Sequence, residues 1–114
     1  MNHLDTEQLN ELKEVLEDEF QVLINTYLID AQLRLKLIEE GLDTKNYEQV
    51  RLAAHSLKGA SANIGALILA QLCEQLEHDC KINFYDQNKE NDFMMGIKQE
   101  LKYITSIFKE NYPY

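Results

Sequence analysis

The sequence is short of cations. It has 11 Lys and Arg against 20 Asp and Glu, a formal net charge of −9, and no run of basic residues. A nucleic-acid partner needs a basic footprint to neutralise phosphates, so that class is excluded, and an anionic membrane surface is excluded for the same reason. Long apolar runs are missing as well. The longest stretch without a charge is residues 59–73, too short to span a bilayer and interrupted by a turn signal at Gly65. Met1–Asn2–His3–Leu4–Asp5 has neither a basic region nor an apolar stretch, so it does not read as a signal peptide, and a cytoplasmic location is expected. There is no Gly-rich phosphate loop, hence no signature for binding ATP. Cysteine is scarce. Cys73 and Cys80 fall on one predicted helix, about 10 Å apart along its axis. That is too far for a disulfide, which leaves two small hydrophobes in reducing surroundings.

What remains is ample for one self-sufficient domain over residues 1–114, with 45% of the chain hydrophobic and 27% charged. Leu4-Asp5-Thr6-Glu7-Gln8-Leu9 reads as a helix start. Asp5 is the expected N-cap, Gln8 closes a capping box, and Leu4 staples onto Leu9. The first helix, residues 5–16, carries Leu9, Leu12, Val15 and Leu16. A second, residues 18–41, carries the stripe Phe20, Leu23, Ile24, Tyr27, Leu28, Ala31, Leu35 and Ile38, with Gly41 as its stop. Asp43, Thr44 or Asn46 caps a third, which runs to about Ile64 and ends in a turn at Gly65. The fourth turns Leu69, Leu72, Cys73, Leu76 and Cys80 inward. Residues 83–92 are polar and read as a loop. The last helix, residues 91–111, carries Phe93, Ile97, Leu101, Ile104 and Phe108, and the only proline, Pro113, lies beyond it. Nothing reads as a strand. The expected fold is all-α: an up-down antiparallel four-helix bundle with a short N-terminal helix capping one end. Monomer is the expected state, because the helices find partners within the chain.

The chain is organised around residues 54–66, Ala-His-Ser-Leu-Lys-Gly-Ala-Ser-Ala-Asn-Ile-Gly-Ala. With His55 at zero on a helical wheel, Lys58 lies at about −60°, Gly59 at about +40°, Ala62 at about −20° and Arg51 at about −40°. The core stripe of this helix is Tyr47, Val50, Ala54, Leu57, Ser61 and Ile64, centred roughly 130° away. His55 therefore points outward. Geometry alone leaves it open between an idle surface histidine and a reactive one. Two neighbours bear on the choice. Gly59 is mid-helix, where glycine costs roughly 1 kcal/mol relative to alanine, and close approach by another molecule is a reason to accept that cost. Lys58 suits an anion held at the ring. A phosphoryl group on the imidazole fits both features, since it needs room and brings roughly two negative charges.

Metal sites are poorly supported. A carboxylate-bridged di-metal bundle needs Glu-x-x-His on each of two helices, but His78 has Gln75 at i−3 and His55 has Leu52. Cys73, Glu77 and Cys80 share a helical spacing that reaches a zinc ion, yet no histidine completes the set. His3 sits near an expected frayed end and carries no signal.

His55-Ser56-Leu57-Lys58-Gly59, with Ser61 and Gly65-Ala66 following, resembles the His-x-Leu-Lys-Gly signature of histidine-containing phosphotransfer (HPt) domains, and the helix order matches across nearly all of the chain. The resemblance implies a relay module of multistep two-component signalling. His55 Nε2 is then expected to attack a phosphoryl group carried on a receiver-domain aspartate and to pass it to another receiver. Lys58 is expected to stabilise charge on the phosphoryl oxygens, while Gly59 with Ala62 leaves room for the partner's active site. Arg51 either helps docking or is a surface charge. The implied partners are response-regulator receiver domains or a hybrid sensor kinase. No cofactor is expected in this chain, because the magnesium belongs to the receiver, and no kinase or ATPase activity of its own is expected.

The turn at Gly65-Ala66 makes a hairpin of the third and fourth helices, and reflecting His55 about position 66 gives Glu77. Glu77 then either accepts from Nδ1–H, holding the lone pair on Nε2, or is one more solvated acid beside Glu74 and Asp79. The resemblance favours the first role, since these domains usually carry a glutamine or glutamate near this place. Two competing readings are a non-catalytic helical adaptor, in which His55 is incidental, and a degenerate relay domain. The intact His55, Lys58 and Gly59 speak against the latter. Met1 and a capped first helix are expected of a complete small protein.

Overall fold

The computed structural model of the chain describes residues 3–82 and 87–112, by backbone alone at 87, 88 and 90. Five helices follow one another: α1 (Thr6–Leu16), α2 (Glu19–Thr44), α3 (Tyr47–Asn63), α4 (Leu67–Lys81) and α5 (Gln87–Asn111). No strand occurs among the described residues, so the chain is all-α as expected.

Local chemistry sets the boundaries. Asp5 caps α1, its Oδ1 accepting from the Gln8 amide at 3.1 Å. The expected capping box does not close, because Gln8 is used elsewhere. Its Nε2 donates to the carbonyls of Ala62 at 3.1 Å and Asn63 at 2.9 Å at the end of α3. Asn46 caps α3 by accepting from the Gln49 amide at 3.2 Å. Gly65, at φ 80, turns the chain between α3 and α4, and its carbonyl accepts from the Asp5 amide at 2.8 Å. The first helix is thereby fastened to the α3–α4 turn.

Two expected boundaries move. α2 does not stop at Gly41 but runs on to Thr44 and ends at Lys45, which adopts the left-handed conformation at φ 59. Gly41 serves packing instead: a Cβ there would lie 2.6 Å from Val50 Cγ2 and 3.0 Å from the Asn46 carbonyl oxygen, so α2 and α3 touch at this point. α5 begins at Gln87, so residues 87–92 of the expected polar loop are helical. In this stretch Lys89, Asn91 and Asp92 face solvent, so polarity here marks an exposed helix face rather than a loop. The rest of that stretch, 83–86, lies outside the described residues.

The contacts between helices run in opposite chain directions. Between α2 and α3, the Leu37 carbonyl accepts from Gln49 Nε2 at 2.9 Å, and Tyr27 meets Ser61 at 2.8 Å. Between α2 and α5, Gln21 Nε2 donates to the Tyr112 carbonyl at 2.8 Å, and Glu39 pairs with Lys98 at 3.2 Å. Between α4 and α5, Leu72 faces Gly96 and Asp79 pairs with Lys89 at 3.3 Å. α2 and α4 each pack on both α3 and α5, and their backbones do not approach one another, so the four long helices close a ring with one core inside. Leu9, Ile24, Ile38, Leu57, Leu69, Leu76, Ile97, Leu101, Ile104 and Phe108 are wholly buried there, each contributing about 1.5–3 kcal/mol of transfer free energy. Tyr112 meets Phe20 edge-on and Phe108 at a tilt, with centroids 5.4 and 6.2 Å apart, and its hydroxyl donates to Asn10 Oδ1 of α1 at 3.3 Å.

Two expected core residues are exposed. Val15 is 79% exposed, because α1 packs through Leu9, Leu12 and Leu16 and position 15 lies about 100° from that stripe. Leu23 is 36% exposed, at the edge of the α2 stripe.

Candidate functional site

The core stripe of α3 is buried at Val50, Ala54, Leu57, Ser61 and Ile64 and half-buried at Tyr47. This anchors the helix and turns the His55 side chain outward, where it is 62% exposed. The hairpin at Gly65 brings α4 back alongside α3 and sets Glu77 level with His55. Glu77 Oε2 lies 2.7 Å from His55 Nδ1, and Glu77 Oε1 accepts from Lys58 Nζ at 2.7 Å. One carboxylate is thus shared by the histidine and the lysine.

The electrostatics assign the protons. Burial pushes the Glu77 carboxyl up, but hydrogen bonds from Lys58 and His55, with their charges, outweigh it and hold the group below the ordinary carboxylate range. Lys58 is raised by the same hydrogen bond to Glu77. An ionised carboxylate only accepts hydrogen bonds, so Nδ1 carries the proton. In a neutral ring that places the lone pair on Nε2, which has no hydrogen-bond partner among the described residues.

Gly59 is exposed, and a Cβ added there would meet nothing within 4 Å. Neither packing nor backbone conformation requires glycine at this position in the chain alone. Ala62 is exposed on the same face, so the surface beside His55 is low and open.

Both cations on the His55 face are paired within the chain. Lys58 is held by Glu77, and Arg51 by Glu48, with its Nε donating to Glu48 Oε2 at 3.0 Å and its other nitrogen pairing with Oε1. Glu48 was not singled out in the sequence, although its i, i+3 spacing to Arg51 is the signal for such a pair. His3 is not frayed: its Nδ1 lies 2.5 Å from Oε1 of buried Glu100, and its ring stacks on Tyr103 with centroids 4.2 Å apart.

The Cys73, Glu77 and Cys80 set does not assemble as a metal site. Both cysteines point into the core, burial pushes the Cys73 thiol up to about 12, and Glu77 is committed to His55 and Lys58. Among the described residues no group of His, Cys, Asp and Glu side chains is arranged to hold a metal ion. No helix among them is long and apolar enough to cross a membrane.

An exposed histidine on a ring of helices, with its far nitrogen free and a carboxylate behind it, is the arrangement of a phosphotransfer domain. The Hpt domain family matches residues 22–104. The structure of histidine-containing phosphotransfer protein B from Pseudomonas aeruginosa is 32% identical and superposes with a TM-score of 0.89, over 95% of this chain and 92% of that one. A second structure, described as a putative histidine-containing phosphotransfer protein from rice, shares the fold at 19% identity. Its TM-score is 0.83, over 96% of this chain and 79% of that one. No curated protein matches the chain. The chain belongs to the Hpt domain family, and its function is histidine phosphotransfer in phosphorelays. Members of this family are phosphocarriers that interact with receiver domains and kinases.

Proposed function

We propose that His55 is the phosphoryl acceptor, with Lys58, Gly59 and Glu77 serving it. The observation that carries this reading is the Glu77 carboxylate, 2.7 Å from both His55 Nδ1 and Lys58 Nζ. The Nε2 lone pair attacks the phosphorus of a receiver acyl phosphate. The N–P bond forms, the bond from phosphorus to the aspartyl oxygen breaks, and the aspartate leaves as carboxylate. The ring becomes a phosphoimidazolium that keeps its proton on Nδ1, hydrogen-bonded to the Glu77 carboxylate. Lys58 turns from Glu77 to the phosphoryl oxygens, a short swing for a flexible ammonium, and offsets their charge. Transfer to a second receiver is the reverse sequence.

The finer reading of the chain follows. Residues 1–114 form a single domain, an up-down antiparallel four-helix bundle of α2–α5 capped at one end by α1. The protein acts as a cytoplasmic monomer. It binds no cofactor, has no kinase or ATPase activity of its own, and meets response-regulator receivers or a hybrid sensor kinase that supply the magnesium.

The test is incubation with a phosphorylated receiver domain of the same organism, followed by intact mass. A gain of one phosphate that is acid-labile, alkali-stable and absent in His55→Gln supports the assignment. A folded protein that gains none from any receiver of a full panel overturns it.

A further inference from the structure

α2 is apolar on two faces. One is the core stripe; the other, on the far side of the helix, shows Ile29 66% and Leu33 58% exposed. A helix apolar on both sides is ordinarily covered on both. Beside this second stripe runs a groove of about 710 Å³ between α2 and α5, lined by Leu28, Ile29, Leu33, Lys36, Thr105 and Lys109, among others.

The rim is cationic. On α5, Lys98, Lys102, Thr105 and Lys109 lie within about 60° of one another on the helical wheel, and all three lysines are exposed. Lys36 adds a fourth from α2. Glu39 is the only acid among the lining residues, and it is engaged by Lys98 at 3.2 Å. Lys36, Lys102 and Lys109 have no ion pair among the described residues. In a chain of net charge −9, this is a local reversal of sign.

We propose that the α2–α5 groove docks an acidic amphipathic helix of a partner protein. Apolar side chains of that helix cover Ile29 and Leu33, and its carboxylates meet Lys36, Lys102 and Lys109. The seam between two antiparallel helices is the shape a third helix fits, and the lysine stripe spans about 16 Å, roughly three turns of such a helix. Charge complementarity selects the occupant: the groove attracts an acidic helix and repels a basic one. The site is independent of His55. Because α2 and α4 each pack on both α3 and α5, the α2–α5 seam lies across the ring from the α3–α4 seam that holds His55 and Glu77. A partner held there leaves the histidine uncovered, so a receiver comes and goes while the partner stays.

The test uses the ¹⁵N-labelled full chain and a synthetic helical peptide of about five turns, with leucine on one face and glutamate on the other. Its counterpart carrying lysine in place of glutamate is the control. The proposal expects saturable amide shifts confined to residues 28–39 and 98–109, none at His55, and no binding of the lysine peptide. Leu33→Glu and Lys102→Glu/Lys109→Glu each weaken binding by about tenfold or more while keeping the wild-type melting temperature. High salt weakens it as well. The proposal is overturned if neither peptide binds, if both bind alike, or if the shifts fall on the histidine face. It is overturned equally if anionic vesicles bind and the acidic peptide does not, or if the groove proves to bury a second copy, seen as self-association by sedimentation that Leu33→Glu abolishes.

Discussion

Glu77 on α4 accepts a hydrogen bond from Nδ1 of His55 on α3 at 2.7 Å, across 22 positions of sequence. The same carboxylate holds Lys58, and the two donors keep it ionised below its ordinary value of 4.5. The carboxylate holds the Nδ1 proton in place from behind and keeps Lys58 on the same face as the ring.

Replacing Glu77 by Gln keeps the size of the side chain and removes its charge. Phosphotransfer through His55 is expected to slow by roughly tenfold or more, by analogy with the carboxylates that orient metal-bound histidines, because the group that fixes the ring's tautomer is lost. Stability carries an independent signature. The folded carboxyl sits below its unfolded value, so its contribution is complete above about pH 5 and is lost as pH falls through the depressed folded value. Wild-type and Glu77→Gln stabilities, compared by urea unfolding across pH, should differ most near neutrality and converge in acid. A constant difference down to pH 3 would show that the ionised carboxylate is not what the pair depends on.

Tyr27 and Ser61 form a buried hydroxyl pair between α2 and α3 at 2.8 Å, beneath the histidine face. Ser61→Ala leaves the phenol of Tyr27 without its partner and is expected to cost about 1–3 kcal/mol. Tyr27→Phe is expected to cost about 1 kcal/mol, since Ser61 can turn to the carbonyl one turn back in its own helix. The double variant should cost less than the sum of the two. Additive costs in a urea double-mutant cycle would mean that the two hydroxyls do not act as a pair.

Gly65 holds φ at 80, and a Cβ there would sit 3.2 Å from the Asp5 carbonyl oxygen and Cβ. Gly65→Ala therefore combines a left-handed backbone with a collision at the base of α1. A loss of at least about 1–2 kcal/mol is expected from the backbone alone. Hydrogen exchange should show α1 opening first, because the Asp5 amide bonds to the Gly65 carbonyl. Uniform loss of protection with α1 unchanged would contradict the fastening.

The site was legible for a simple reason. His55, Lys58 and Gly59 lie within one turn of one helix, and Gly65 marks a turn short enough that reflection finds Glu77. Features that join distant segments were not legible in this way. His3 and Glu100 are 97 positions apart, and no periodicity connects them. Gln8 has the spacing of a capping box, yet it spends its amide on carbonyls 54 and 55 positions away. Gly41 was misread because glycine has two uses that look alike in sequence, as a helix stop and as a place where two backbones approach. Only the position of Val50 against it distinguishes them.

Gly59 separates folding from function most sharply. Its added Cβ would meet open space, so Gly59→Ala relieves the cost of a mid-helix glycine and creates no clash. The isolated protein should gain about 0.5–1 kcal/mol in urea unfolding. Transfer should move the other way, because the methyl group stands about one turn from His55, on the surface a receiver must approach, and a longer side chain such as Gly59→Gln should slow transfer further. The two effects have different origins, the first in backbone entropy and the second in the space between two proteins, so they need not scale together. A stabilised Gly59→Ala that transfers as fast as wild type would remove the reason proposed for glycine at this position. A destabilised Gly59→Ala would mean that the helix here is not the regular one described.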